Sequence, residues 1–399
     1  MNNITISQRA KNTPASAIRK LVPLAEKAKE KGIKVYHLNI GQPDLPTPQE
    51  VLDYIHNFTQ KTLQYAPSAG IKEAVLSWQK FYADKGMSFE QKDIVVTAGG
   101  SEALLFAFMT VCDPGDEILI FEPFYTSYSI LTAMGNISFR PILTTNQNGY
   151  HLPDAKTIEK AITKKTKAII ICNPNNPTGT LYTEEEVQTI TSVVKKYNLF
   201  LISDETYQEI VFDGKKVIPF AKDQEIAQNL IICDSVSKRF NSCGARVGCV
   251  VSQNQEFMSA VLRLGQGRLS VATVEQLAFI ALLQNHKNYT DSIKKVYQSR
   301  RDVVVEGLKK IPGATFKVPE GAFYIMPKLP IDDSDRFAEF LLNDFSDNKE
   351  TVMIAPATGF YSTPGLGKDE IRIAYVLDEE SLKRSIELLG LAIRKYNRV

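Results

Sequence analysis

Between residues 90 and 285, short β-branched runs alternate with longer amphipathic stretches. The runs are 94–97 (Ile-Val-Val-Thr), 117–121 (Glu-Ile-Leu-Ile-Phe), 168–172 (Ala-Ile-Ile-Ile-Cys), 199–203 (Leu-Phe-Leu-Ile-Ser), 230–233 (Leu-Ile-Ile-Cys) and 247–252 (Val-Gly-Cys-Val-Val-Ser). Several are apolar on both faces, the mark of strands covered on both sides in a mostly parallel sheet. Helical stretches such as 184–196 separate them. The pattern predicts an α/β, doubly wound domain.

The flanks have another texture. Residues 1–14 are polar and read as an arm. A helix is predicted over 16–31, with Ser16 as N-cap, a stripe of Ile18, Leu21, Val22, Ala25 and Ala28, and Gly32 as its end. The proline-rich stretch Gly41-Gln42-Pro43-Asp44-Leu45-Pro46-Thr47-Pro48 is a turn segment. After 286, a helix over 288–310 places Ile293, Val296, Tyr297, Val304 and Leu308 inward. Short strands are expected around 314–318, 322–326 and 371–376. A last helix starts at the N-cap Asp378 and carries Leu382, Ile386, Leu389 and Ile393 on one face. The chain of 399 residues divides accordingly. Residues 45–287 form a large domain, 288–399 a smaller α+β domain, and 1–44 an arm and helix that join the smaller one.

Composition narrows the function. The formal net charge is +2, so there is no excess field to recruit nucleic acid or an anionic membrane. The N-terminus lacks the charged-then-apolar build of a signal peptide, and no apolar run approaches a membrane span. A soluble cytoplasmic enzyme is expected. The five cysteines, Cys112, Cys172, Cys233, Cys243 and Cys249, are odd in number and lack Cys-x-x-Cys spacing, which predicts free thiols. The four histidines are scattered, so no metal site is expected.

The unusual residues fall at the carboxyl ends of predicted strands, where open α/β sheets bind ligands. After 94–97 comes Ala98-Gly99-Gly100-Ser101-Glu102, whose glycines and free helix-start amides suit an anion. No Gly-x-Gly-x-x-Gly or P-loop pattern is present. After 117–121, Tyr125 can stack on a flat ring. After 168–172 comes the tight polar loop Asn173-Pro174-Asn175-Asn176-Pro177-Thr178-Gly179. After 199–203 stand Asp204 and Tyr207; a carboxylate there needs a cationic partner. After 230–233 comes Ser235-Val236-Ser237-Lys238, then Arg246 eight residues beyond the lysine. A lysine so placed suits imine formation with an aldehyde cofactor, and the arginine suits its phosphate. Arg372, inside the apolar run 371–375, is expected to face an anion in a cleft.

In combination these motifs resemble the class I/II aminotransferases, pyridoxal-phosphate enzymes of fold type I, and among them bacterial aspartate-type enzymes. The resemblance runs from Gly41-Gln42-Pro43-Asp44 to Arg372. It rests on Asn176-Pro177-Thr178-Gly179, Asp204-Glu205-x-Tyr207, Ser235-x-Ser237-Lys238 and Gly244-x-Arg246-x-Gly248. It implies that Lys238 holds pyridoxal 5'-phosphate and shuttles the proton, that Asp204 pairs with the ring nitrogen, and that Asn176 and Tyr207 contact the ring oxygen. By the same resemblance Tyr125 would stack on the ring, while Gly100, Ser101, Ser235 and Arg246 would bind the phosphate. Tyr65 would reach the cofactor of a partner subunit, which implies a homodimer. Arg372, with Gly41 and Asn176, would hold the substrate carboxylate.

The implied reaction transfers an amino group from an L-amino acid, aspartate first, to a 2-oxo acid such as 2-oxoglutarate. Aromatic amino acids, methionine or prephenate remain alternatives, as does a carbon–sulfur lyase on the same scaffold. Some aspartate-specific relatives bind the distal carboxylate through a partner's arginine, and Arg268 is the candidate here. An effector-sensing regulator is disfavoured, because the roughly 40 residues before Gly41 offer only an arm and one helix.

Overall fold

The computed structural model describes residues 4–398. Its strands are β1 (Lys34–His37), β2 (Ile94–Thr97), β3 (Glu117–Glu122), β4 (Ser138–Leu143), β5 (Thr166–Cys172), β6 (Phe200–Asp204), β7 (Leu230–Ser235), β8 (Gly248–Val251), β9 (Tyr324–Ile325), β10 (Glu350–Met353), β11 (Ala355–Pro356) and β12 (Ile371–Ala374). Seven of them form one sheet in the order β2-β8-β7-β6-β5-β3-β4. All neighbours are parallel except β8, which runs against both β7 and β2.

Alternation along these strands feeds two cores. Leu119, Ile169, Leu201 and Ile232 pack on one face. Ile118, Ile170, Ile202 and Ile231 pack on the other. This is the doubly wound α/β class expected from runs apolar on both faces. A third core joins residues from both ends of the chain. Leu21, Ala25, Tyr36 and Leu38 pack with Ile293, Tyr297, Val352, Ile373 and Leu389. There β1 pairs in parallel with β10, and β12 lies between β11 and β9.

Several expectations need correction. The helix predicted over 16–31 covers only Val22–Glu30; residues 17–21 form a turn, and Ser16 is not its cap. Pro23 lacks an N–H and is accommodated only in a first helical turn, so the helix starts beside it. The arm contains a short helix, Gln8–Asn12, capped by Ser7; residues 1–3 of that arm lie outside the described residues. The run 314–318 makes one bridge, Thr315 to Lys328, and no strand. Val296 is 37% exposed and belongs to the outer face of its helix, unlike Ile293, Tyr297, Val304 and Leu308. By contrast, Asp378 does cap the last helix, its carboxylate accepting from the Ser381 N–H at 2.9 Å.

Candidate active site

The carboxyl ends of β2, β3, β5, β6 and β7 open on one cleft. Gly100, Ser101, Tyr125, Asn176, Asp204, Tyr207, Ser235, Lys238 and Arg246 all line it. An adjoining cavity shares Ser101, Tyr125, Tyr207, Lys238 and Arg246 and adds Gly41 and Arg372. Eleven of the twelve residues singled out for cofactor or substrate therefore converge. The exception is Tyr65, which is 81% exposed and lines neither space.

Lys238 owes its position to a rigid turn. β7 runs into the four-residue helix Val236–Arg239, capped by Ser235, whose Oγ accepts from the Ser237 N–H at 2.9 Å. Behind the turn, Asp234 is held by Arg239, by the Tyr82 hydroxyl at 3.1 Å and by Gln208 Nε2 at 2.9 Å. Lys238 Nζ donates to the Gly41 carbonyl at 2.7 Å and to Cys243 Sγ at 3.2 Å.

The anion cradle lies beside it. Gly99 has φ of +80°, and a Cβ there would come within 2.6 Å of Arg246 Nη2, so only glycine lets the guanidinium approach this backbone. Arg246 is fixed by the carbonyls of Cys243 at 2.9 Å and Ala98 at 3.1 Å, with no carboxylate partner among the described residues. The helix Gly100–Val111 begins at the same point and offers free amides.

At the far end of the cleft, Asp204 is 4% exposed and has no cationic partner among the described residues. Burial pushes its pKa above the usual carboxylate range; hydrogen bonds from the Tyr128 hydroxyl (2.7 Å) and the Thr206 N–H (3.1 Å) oppose that. Asn176 Nδ2 donates to the Tyr207 hydroxyl at 3.3 Å, and that hydroxyl lies 2.9 Å from the hydroxyl of Tyr324. A buried carboxylate without a cation at one end, a phosphate-shaped cradle at the other and an amine between them fit a flat, phosphorylated aldehyde with a basic ring nitrogen.

Arg372 sits in the middle of β12, 1% exposed. Nη1 donates to Asn176 Oδ1 at 3.2 Å and Nη2 to the Asn39 carbonyl at 2.6 Å, while Nε has no partner. The rings of Tyr324 and Phe360 lie 4.4 and 5.0 Å from its guanidinium carbon. Burial lowers its pKa, and no carboxylate among the described residues answers its charge. Gly41 leaves room for Tyr324, whose hydroxyl a Cβ would overlap.

Arg268, the candidate for a distal carboxylate in a partner's site, lines neither space of its own chain, as Tyr65 does not. Its Nε donates to Glu102 at 2.9 Å and its Nη2 to the Val96 carbonyl at 2.7 Å. These bonds fasten the loop after the helix Gln255–Gly267 to the start of the helix Gly100–Val111. Sequence reasoning missed Tyr128, Asn39, Cys243 and Tyr324. Only Tyr128 carried a signal, as a second tyrosine in the same strand-end segment as Tyr125, and the two rings meet edge to face at 5.4 Å.

Comparison with known proteins agrees with this geometry. The family described as "Aminotransferase class I and II" matches residues 33–389. The chain is 31% identical over 397 residues to an aspartate aminotransferase of Pyrococcus horikoshii, covering 97% of each chain. It is 30% identical to a probable aspartate/prephenate aminotransferase of Aquifex aeolicus, covering 98% of this chain and 99% of that one. Among solved structures, the aspartate aminotransferase from Thermus thermophilus with maleate superposes with a TM-score of 0.89 at 27% identity, covering 98% of this chain and 100% of the other. Proteins of this class use pyridoxal phosphate. With its fold, its strand-end residues and its full-length relatives in agreement, the chain belongs to the class I and II aminotransferases.

Proposed function

We propose that this aminotransferase takes the amino group of an L-amino acid, aspartate in the first place, and delivers it to a 2-oxo acid such as 2-oxoglutarate in a ping-pong cycle. The observation that carries this reading is the segment Asn39-Ile40-Gly41. The Asn39 carbonyl holds Arg372 and the Gly41 carbonyl holds Lys238. A carboxylate-binding guanidinium and a free amine are thus anchored two residues apart, as the carboxylate and α-carbon of one amino acid require. Aspartate is favoured because relatives spanning the whole chain bear that name.

Pyridoxal 5'-phosphate, when bound, supplies an aldehyde for the amino group and an electron sink for the α-carbon. Ser235, Arg246 and the amides of Gly100 and Ser101 would hold its phosphate, with Tyr65 of a second copy of the chain. Asp204 would keep its ring nitrogen protonated, Asn176 and Tyr207 would hold its ring oxygen, and Tyr125 would cover its face. Arg372 and Asn176, with the Gly41 backbone, orient the substrate carboxylate. The Lys238 amine takes the proton from the α-carbon and later returns one.

We assign residues 45–287 to a large domain and 1–44 with 288–399 to a smaller one that closes over the substrate and excludes water. A cytoplasmic homodimer accords with this reading; among the described residues no helix is long and apolar enough to cross a membrane. The test uses cofactor-loaded protein and aspartate without any 2-oxo acid. One oxaloacetate per active site, with no ammonia, is the expected yield. With cystathionine in place of aspartate, continuous release of ammonia, pyruvate and the departing thiol would instead mark a carbon–sulfur lyase.

A further inference from the structure

The substrate cavity is lined by four basic side chains, Arg19, Lys238, Arg246 and Arg372, and by no aspartate or glutamate. The reading above assigns Lys238 to the amino group, Arg246 to the phosphate and Arg372 to the α-carboxylate. Arg19 is left over. Its neighbour Lys20 is paired with Asp335, whereas the Arg19 guanidinium has no ion pair or hydrogen bond among the described residues. Arg19 is solvent-exposed at the mouth of the cavity, and it is its backbone that is built into the site. Its own N–H donates to the Ser16 carbonyl at 3.1 Å, closing a turn. The next carbonyl upstream, that of Ile18, accepts from Asn39 Nδ2 at 3.2 Å. Asn39 is the residue whose own carbonyl holds Arg372. The rim arginine and the floor arginine are therefore fastened to one residue.

The geometry points to Arg19 as the group that binds the distal carboxylate of a dicarboxylic substrate. This inference rests on the aminotransferase reading and deepens it. Among the side chains that line the cavity, Arg19 is the cation without a task. A planar guanidinium suits a carboxylate through paired hydrogen bonds. A four- or five-carbon diacid then meets Arg372 with one end and Arg19 with the other, whereas alanine or phenylalanine meets Arg372 only.

The test compares Arg19→Ala and Arg19→Lys with the parent, using aspartate, glutamate, alanine and phenylalanine as donors to one 2-oxo acid. Loss of one charge-assisted contact is expected to lower kcat/KM for both dicarboxylic donors about 10- to 100-fold, while the two monocarboxylic donors change little. Arg19→Lys recovers part of the loss. Calorimetric titration with maleate, a dicarboxylate with no amino group to transfer, should show a parallel loss of affinity. An equal effect on all four donors, or unchanged aspartate and glutamate rates, overturns the role of Arg19 and leaves the transaminase reading intact. A parent enzyme that converts none of the donors removes both.

Discussion

Arg239 Nη2 donates to both carboxylate oxygens of Asp234, at 2.9 and 2.8 Å, and neither side chain touches solvent. The pair brackets the turn that presents Lys238, and the Phe81 ring covers the guanidinium at 4.2 Å. Removing either partner strands a buried charge, at a cost of about 3–5 kcal/mol. Asp234→Ala and Arg239→Ala should each lose that much in urea titrations. Asp234→Leu combined with Arg239→Met should lose less than the two single losses together; a fully additive loss would show that the ion pair is not the unit.

Lys238 carries the chemistry in our reading. In Lys238→Ala, borohydride should no longer fix the cofactor to the chain, and turnover should fall by at least about 10²–10⁴-fold. Unfolding in denaturant should stay close to that of the parent, because the lysine is only half-buried. Retained borohydride labelling at another lysine would move the assignment.

Arg372 should separate stability from function. A buried cation with no answering carboxylate opposes folding, so Arg372→Met is expected to leave the substrate-free protein as stable or to add on the order of 1 kcal/mol. The same change should lower kcat/KM by roughly 10²-fold or more for every amino donor alike, because all share the α-carboxylate. A loss confined to dicarboxylic donors would contradict this.

Glu205 gives a pH signature. Burial, aided by the neighbouring Asp234, pushes its carboxyl up to about 7 from an ordinary value of 4.5. The folded state thus holds the proton more tightly than the unfolded chain. The stabilisation is complete below about pH 4.5 and is lost as the pH rises through about 7. Relative to Glu205→Gln, which does not titrate, the parent should lose up to about 3 kcal/mol across that window. Denaturant titrations at the two ends check the sign; a parent that gains stability over the window would refute it.

Much of the site was legible because each strand-end motif is local. Asn176, Asp204 and Lys238 stand one to a few residues beyond a β-branched run, Arg246 stands just before the next one, and the sheet brings those ends together. Pairings across long sequence distance left no such trace. β1 and β10 join residues near 35 to residues near 351, and Lys34, His37 and Glu350 break the apolar run that marks a strand such as β2. β4 contains Pro141, which reads as a strand breaker but is tolerated because β4 is the sheet edge and pairs only with β3. Asn39 and Tyr324 act through what folds against them, so nothing in their neighbours marked them. Arg268 pairs with Glu102, far upstream, and nothing in its sequence neighbours marks that partner.

The cavity that gathers Arg19, Lys238, Arg246 and Arg372 without a single acidic side chain leaves part of the chain's positive charge to be answered from outside. Dissolved anions that settle there are bound by the folded state and not by the unfolded one. An anion at a hundred times its dissociation constant adds about 2.7 kcal/mol to folding. The surrounding medium thereby becomes a component of the fold's stability.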